Sequence, residues 1–304
     1  MGWHEQEITR RSMVTGLAAI AAAGTTLSSR AFAKVSTDPW VTHSVASQTD
    51  GLRIVYHVAG KGPPLVVVHG GSTTAEAYKK FAGYLTDRYR VALVERRNYT
   101  ISASRPSPIT FQQEVGDVGA VMHALGERCF LFGHSAGALV SLYVARDRQS
   151  ALRALALYEP PLSSGGPEVV PVRTQFEQLV ASGKPDEALV FLYEHFVGLS
   201  DAAARSLIAT RGAVLRPLLD GSRADIEALV TLDTKPDDWT SIKLPTLLLV
   251  GDQSVEHPLR DSVAELQAVW PNAHTETLVG QGHAAYAQAP QLLASDVGGF
   301  FSKH

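Results

Sequence analysis

Cysteine is nearly missing from this chain: Cys129 is the only one among 304 residues. A lone cysteine excludes an internal disulfide and a thiolate metal cluster, and its place in the apolar run RCFLFG reads as an inert core position. An excess of charge of one sign is missing too. Lys and Arg number 27 against 30 Asp and Glu, a formal net charge of −3. The basic residues are scattered rather than gathered into the stripe that a phosphate backbone requires, which argues against a nucleic-acid partner. No apolar run reaches the ~20 residues that span a bilayer, so no membrane anchor is expected. No internal repeat or low-complexity tract follows the amino-terminal segment. What remains is 45% hydrophobic and 19% charged, a composition that buries a large core and suits one α/β domain acting on a small molecule or a protein partner.

The amino-terminal segment reads as separate from the fold. TRRSMVT, the weakly apolar GLAAIAAAGTTL and then Ala31-Phe32-Ala33 follow one another, in the order basic region, apolar region and A-x-A cleavage site of an export signal. The paired Arg10-Arg11 resembles a twin-arginine signal. Residues 1–33 are therefore expected to be a signal peptide recognised by the twin-arginine export machinery, with the mature chain, residues 34–304, carried out folded to the periplasm or beyond.

From there apolar runs alternate with amphipathic ones, the pattern of strands and crossover helices. Residues 41–47 and 52–58 read as an antiparallel pair around Asp50-Gly51, and PLVVVH at 64–69 as a strand buried on both faces. Helices at 76–85, 111–125 and 136–148 are predicted to alternate with strands at 91–95, 128–132 and 152–158; strands at 246–250 and 274–278 follow. The expectation is an eight-stranded, mostly parallel sheet flanked by helices. Between the sixth and seventh strands the pattern turns helical, as at 172–181 and 186–196, so a helical cap is expected over about 161–240, with the core at about 40–160 and 241–304.

Three short stretches carry chemistry. Gly133-His134-Ser135-Ala136-Gly137 stands between a strand and a helix, where glycines flank a serine because a side chain on either side would crowd so sharp a turn. A serine hydroxyl needs a base, a group to orient that base, and donors for an oxyanion. His69-Gly70-Gly71-Ser72 supplies a loop of exposed N–H groups, and the Gly71 and Ala136 N–H groups are the candidate oxyanion donors. Gly280-Gln281-Gly282-His283 ends the last strand with the candidate base, His283, while His134 and His69 read as packing or loop-shaping neighbours.

Elbow, HGG loop, helical insertion and terminal histidine, in this order, resemble the α/β-hydrolase fold, in particular its capped single-domain bacterial members, over almost all of residues 40–304. The resemblance implies acyl transfer by a Ser–acid–His triad, with Ser135 as nucleophile, His283 as base, and no metal or organic cofactor. A serine at the elbow argues against the dehalogenases and epoxide hydrolases of this fold, which use aspartate. Carboxylic ester hydrolysis leads; perhydrolase, lactonase and carbon–carbon bond hydrolase are alternatives on the same triad, and a non-catalytic ligand-binding protein is the rival of a different class. Two departures stand out. Glu95-Arg96-Arg97-Asn98 lacks the glycine of the family's usual Asp-Arg-x-Gly turn, and Gly251-Asp252-Gln253-Ser254 has Ser254 where G-x-x-D usually puts the acid. Glu159, at the end of the preceding strand and before Pro160-Pro161, is the favoured acid, with Asp252 as the alternative. The aromatics Phe176, Phe191, Tyr193, Phe196 and Trp239 suit either a pocket lining or cap packing.

Overall fold

The computed structural model describes residues 39–304 apart from 100–101, 103–109, 163–164 and 233–234. The segment expected to be a signal peptide, 1–33, lies outside the described residues. The strands are β1 (Val41–Ala46), β2 (Arg53–Ala59), β3 (Pro64–Val68), β4 (Arg90–Val94), β5 (Cys129–His134), β6 (Leu152–Tyr158), β7 (Thr246–Gly251) and β8 (His274–Leu278). They form one eight-stranded sheet in the order β1-β2-β4-β3-β5-β6-β7-β8. β1 and β2 pair antiparallel, as do β2 and β4, and every later pairing is parallel.

Alternation along the central strands builds two cores. Val66 and Val68 of β3, Leu131 of β5, and Leu155 and Leu157 of β6 face one layer, while Leu65, Val67, Phe130, Phe132, Ala154 and Ala156 face the other. Side chains of a strand point alternately to its two faces, so a strand covered on both sides must be apolar throughout. Helices α2 (Val115–Leu125) and α3 (Ala136–Asp147) cover the first face, and α1 (Ala75–Gly83) and the helix Pro290–Phe301 the second. Cys129 is completely buried in the first core, and that burial pushes its thiol up to about 12.

Most elements lie within a residue or two of the sequence expectation, and two of the differences have a plain cause. α2 begins at Val115 rather than 111, because Thr110, Phe111 and Gln112 accept only from the N–H three residues on, which makes turns. β5 runs on through His134, whose partner in the ladder is Tyr158. Asn98, where the resemblance leads one to expect glycine, takes a left-handed conformation, φ 64°, which asparagine tolerates.

Between β6 and β7 lie α4 (Val170–Ala181), α5 (Pro185–Val197), α6 (Asp201–Leu215) and α7 (Leu219–Val230). They pack through two clusters of their own, one around Leu189, Ile208 and Leu218 and one around Phe176, Phe191 and Ile226. No helix among the described residues is long and apolar enough to cross a membrane.

The elbow depends on close packing. A Cβ on Gly137 would overlap the carbonyl oxygens of Val68 and His69, and one on Gly133 would overlap Ser141 and Gly137. Gly137→Ala is therefore expected to lower stability by about 1–3 kcal/mol, read as the midpoint of chemical denaturation; an unchanged midpoint would contradict this packing.

Candidate functional site

The parallel strands end together, and the loops at their carboxyl edge carry every candidate residue, where ligands of open α/β sheets bind. The ladder extends one step beyond β5 and β6: the Ser135 N–H donates to Tyr158 O at 2.9 Å and the Glu159 N–H to Leu249 O at 3.2 Å. Both residues then leave the sheet in left-handed backbone conformations, Ser135 at φ 53° and Glu159 at φ 47°. Such backbones cost about 1–3 kcal/mol each outside glycine, and persist only where the surroundings impose them.

Glu159 is wholly buried. Its Oε2 accepts from His283 Nδ1 at 2.5 Å, and its Oε1 accepts from the Gly251 N–H at 2.7 Å and from the Ser254 hydroxyl at 2.5 Å. With Nδ1 donating to this carboxylate, the Nε2 lone pair of His283 is left free. Ser254, standing where an aspartate is usual, donates to the carboxylate that has moved one strand away. Asp252 is elsewhere: its Oδ1 accepts from the Gly280 N–H at 2.8 Å and from Gln253 Nε2 at 3.1 Å. It shapes the loop that leads to His283 without touching the imidazole.

Ser135 and His283 line one cavity of about 140 Å³ together with Gly71 and Ala136. Among the described residues no hydrogen bond joins the Ser135 hydroxyl to His283; in ligand-free sites such contacts are often long and tighten around substrate. Ala136 is the first residue of α3, so its N–H has no acceptor within the helix. In the facing loop the Gly70 and Ser72 N–H groups donate to the Tyr78 and Tyr99 hydroxyls, each at 3.1 Å, and among the described residues no acceptor takes the Gly71 N–H. Two free donors thus border the space next to Ser135.

The neighbouring histidines are structural. His69 Nε2 accepts from the Arg96 N–H at 3.1 Å, and burial together with the Arg96 charge pushes its pKa down to about 3. His134 Nδ1 meets the Tyr78 hydroxyl at 2.5 Å and its ring lies 4.5 Å from that of His283; burial, then the His283 charge, holds its pKa well below the usual imidazole value. Of the five aromatics singled out above, Tyr193 and Phe196 line the cavity. Phe176 and Phe191 sit in the cap core and Trp239 in the sheet core instead, because their helix faces point away from the site.

Asp225, Tyr99 and Ser222 went unnoticed in the sequence. Asp225, on cap helix α7, lines the cavity and is chelated by Arg96, NH1 to Oδ2 at 3.0 Å and NH2 to Oδ1 at 2.6 Å. Arg96 also holds Glu114 through two bonds of 2.9 and 2.7 Å. Burial opposes the guanidinium charge, but the two carboxylates outweigh it and raise the Arg96 pKa. The Tyr99 hydroxyl donates to Asp225 Oδ2 at 2.7 Å while accepting the Ser72 N–H, and Ser222 bonds Ser72 at 2.8 Å between the hydroxyls. The legible signal was a carboxylate on the apolar face of α7, four residues before Leu229. Among the described residues no cluster of three or more His, Cys, Asp or Glu could hold a metal ion.

Comparison with known proteins agrees with this layout. A sequence profile described as the alpha/beta hydrolase family matches residues 65–296. Haloalkane dehalogenase 2 of Mycobacterium tuberculosis is 26% identical over 269 residues, 81% of this chain and 90% of that one. The crystal structure of an alpha/beta hydrolase from Sphaerobacter thermophilus superposes with a TM-score of 0.75 at 28% identity, covering 85% of this chain and all of that one. A thermophilic esterase from Thermogutta terrifontis reaches 0.73 at 20% identity, covering 86% and 98%, a likeness of fold alone.

Tyr99→Phe should leave Asp225 chelated by Arg96 and strand the buried Ser72 N–H without an acceptor. The expected loss of stability is about 1–3 kcal/mol by denaturant titration; no loss would mean that the hydroxyl does not hold this loop.

Proposed function

The chain belongs to the alpha/beta hydrolase family, and within it we propose a serine hydrolase that cleaves small carboxylic esters by acyl transfer. Ser135 Oγ attacks the carbonyl carbon as its proton passes to His283 Nε2. The carbonyl oxygen gains the electron pair and takes hydrogen bonds from the Gly71 and Ala136 N–H groups. Collapse breaks the bond to the alkoxy group, which leaves with the proton from Nε2, and water hydrolyses the acyl-enzyme by the same steps. Glu159 keeps the imidazole in the working tautomer and stabilises its charged form. Carbonyl chemistry of this kind needs no metal or organic cofactor.

The observation that carries the reading is the 2.5 Å bond between His283 and a fully buried Glu159, in a cavity shared with a serine on a strained backbone. A buried carboxylate aimed at an imidazole in a pocket orients the ring and stabilises the charge that the imidazole gains in proton transfer. The dehalogenase likeness does not bring its reaction along, since dehalogenases of this fold attack through aspartate and this elbow holds Ser135. The twin-arginine sequence supports export of the folded chain, with Arg10→Lys and Arg11→Lys together expected to leave the precursor inside the cell.

Three variants test the triad. Ser135→Ala and Glu159→Gln should each lower kcat for 4-nitrophenyl butyrate by roughly 10⁴-fold with the fold intact by circular dichroism, whereas Asp252→Asn should stay within about 10-fold of wild type. A severe loss confined to Asp252→Asn would overturn Glu159 as the acid. Tight binding of a small ligand with no turnover of any ester would instead favour the non-catalytic reading.

A further inference from the structure

Two chambers meet at His283. The inner one, about 140 Å³, is bordered by Ser135, Gly71 and Ala136; the outer one, about 630 Å³, is bordered by none of these three. His283, Tyr193 and Tyr286 border both, and so stand between them. The tetrahedral carbon on Ser135 carries three other groups: the oxyanion, the leaving oxygen and the acyl chain. The oxyanion lies toward Gly71 and Ala136. The leaving oxygen lies at His283, which hands it the proton, and from there its alcohol portion continues into the outer chamber. The acyl chain is left with the inner chamber.

The walls of that chamber specify what it holds. A cavity of about 150 Å³ accommodates a benzene ring, so the space admits about six carbons. Leu192, Phe196, Ile226 and Leu229 make it apolar. Asp225 closes it beside the oxyanion loop, its Oδ2 2.9 Å from where a Cβ on Gly71 would stand, and its side chain is only 11% exposed. The Arg96 charge is shared between Asp225 and Glu114, so no positive charge is left over for a second anion. A carboxylate on the acyl group would face Asp225 away from water, where like charges repel strongly.

We propose, resting on the esterase reading above, that the inner chamber is the acyl subsite, that it takes uncharged acyl groups of up to about six carbons, and that Asp225 is the specificity residue excluding acyl groups that bear a carboxylate. The alcohol side, opening to the larger chamber, is permissive.

The test measures kcat/KM on the mature wild-type protein for 4-nitrophenyl butyrate, hexanoate, decanoate and hemisuccinate, and for butyrate esters of ethanol, hexanol and decanol. Decanoate should fall at least about 10-fold below hexanoate, hemisuccinate about 100-fold below butyrate, and the alcohol series should vary by no more than about 3-fold. Leu229→Ala should shift the acyl cut-off to longer chains. Asp225→Asn should raise the hemisuccinate-to-butyrate ratio by about 10-fold, a ratio that is independent of any general loss of activity. Esters turned over with decanoate equal to hexanoate, or hemisuccinate equal to butyrate, overturn this assignment alone. If no ester is turned over and a fluorophosphonate probe fails to label Ser135, the esterase reading falls, and this one with it.

Discussion

A carboxylate shut away from water survives as an anion only when its lone pairs are taken by donors held in place. Glu159 meets that condition with three donors drawn from two further strands and the loops beyond them: the Gly251 N–H at the end of β7, the Ser254 hydroxyl after it, and His283 after β8. The same side chain therefore ties the ends of β6, β7 and β8 into one rigid corner. Were the acid exposed, the imidazole would have a choice of partners and rotamers; buried, it has one. The left-handed backbone at Glu159 follows from this, since the chain must turn sharply at the end of β6 to bring the carboxyl group across to the neighbouring strand ends.

A second buried ion cluster performs the corresponding work on the other side of Ser135. Arg96, at the end of β4, joins Glu114 before α2 to Asp225 of the cap. The hydrogen bonds from Asp225 through Tyr99 to Ser72 then reach the loop that presents the Gly71 N–H. Placement of the cap and placement of the proposed oxyanion donor are thereby linked. A neighbouring triad, Arg97 with Asp117 and Asp50, fastens α2 to the turn between β1 and β2, away from the cavity. Burial and the bidentate geometry make both arginines structural, although only Arg96 has a carboxylate partner that faces the site.

Much of this frame is legible in the sequence, and the boundary of legibility has a physical cause. β6 and β8 begin and end where the sequence places them, at Leu152–Tyr158 and His274–Leu278, because an apolar strand covered on both faces, or a polar edge strand stopped by a turn, writes its limits locally. Glu159 is legible as a candidate because it ends such a strand. The role of Ser254 is not, since its partner lies 95 residues away; nor is that of Asp225, 129 residues from Arg96. Pairings over such distances leave no periodicity. The cap aromatics are ambiguous for a related reason: a helix face buried in its own bundle and one lining a cavity have the same apolar signature, and only the packing separates Phe176 from Phe196.

Among the described residues the four non-glycine positions with left-handed backbones are Ser72, Asn98, Ser135 and Glu159, and all four lie just beyond the carboxyl ends of strands. At about 1–3 kcal/mol for each of the three besides Asn98, which asparagine's tolerance spares, their sum is a large share of the net stability of an ordinary domain. The two sheet cores below must therefore be more stable than folding alone demands. In evolutionary terms the rim drifts downhill at Ser135, whose hydroxyl makes no hydrogen bond among the described residues: a glycine there would relax the chain, so only selection on what the rim does can keep serine there. A descendant released from that selection would be expected to lose its chemistry first and to become, for a time, a sturdier protein.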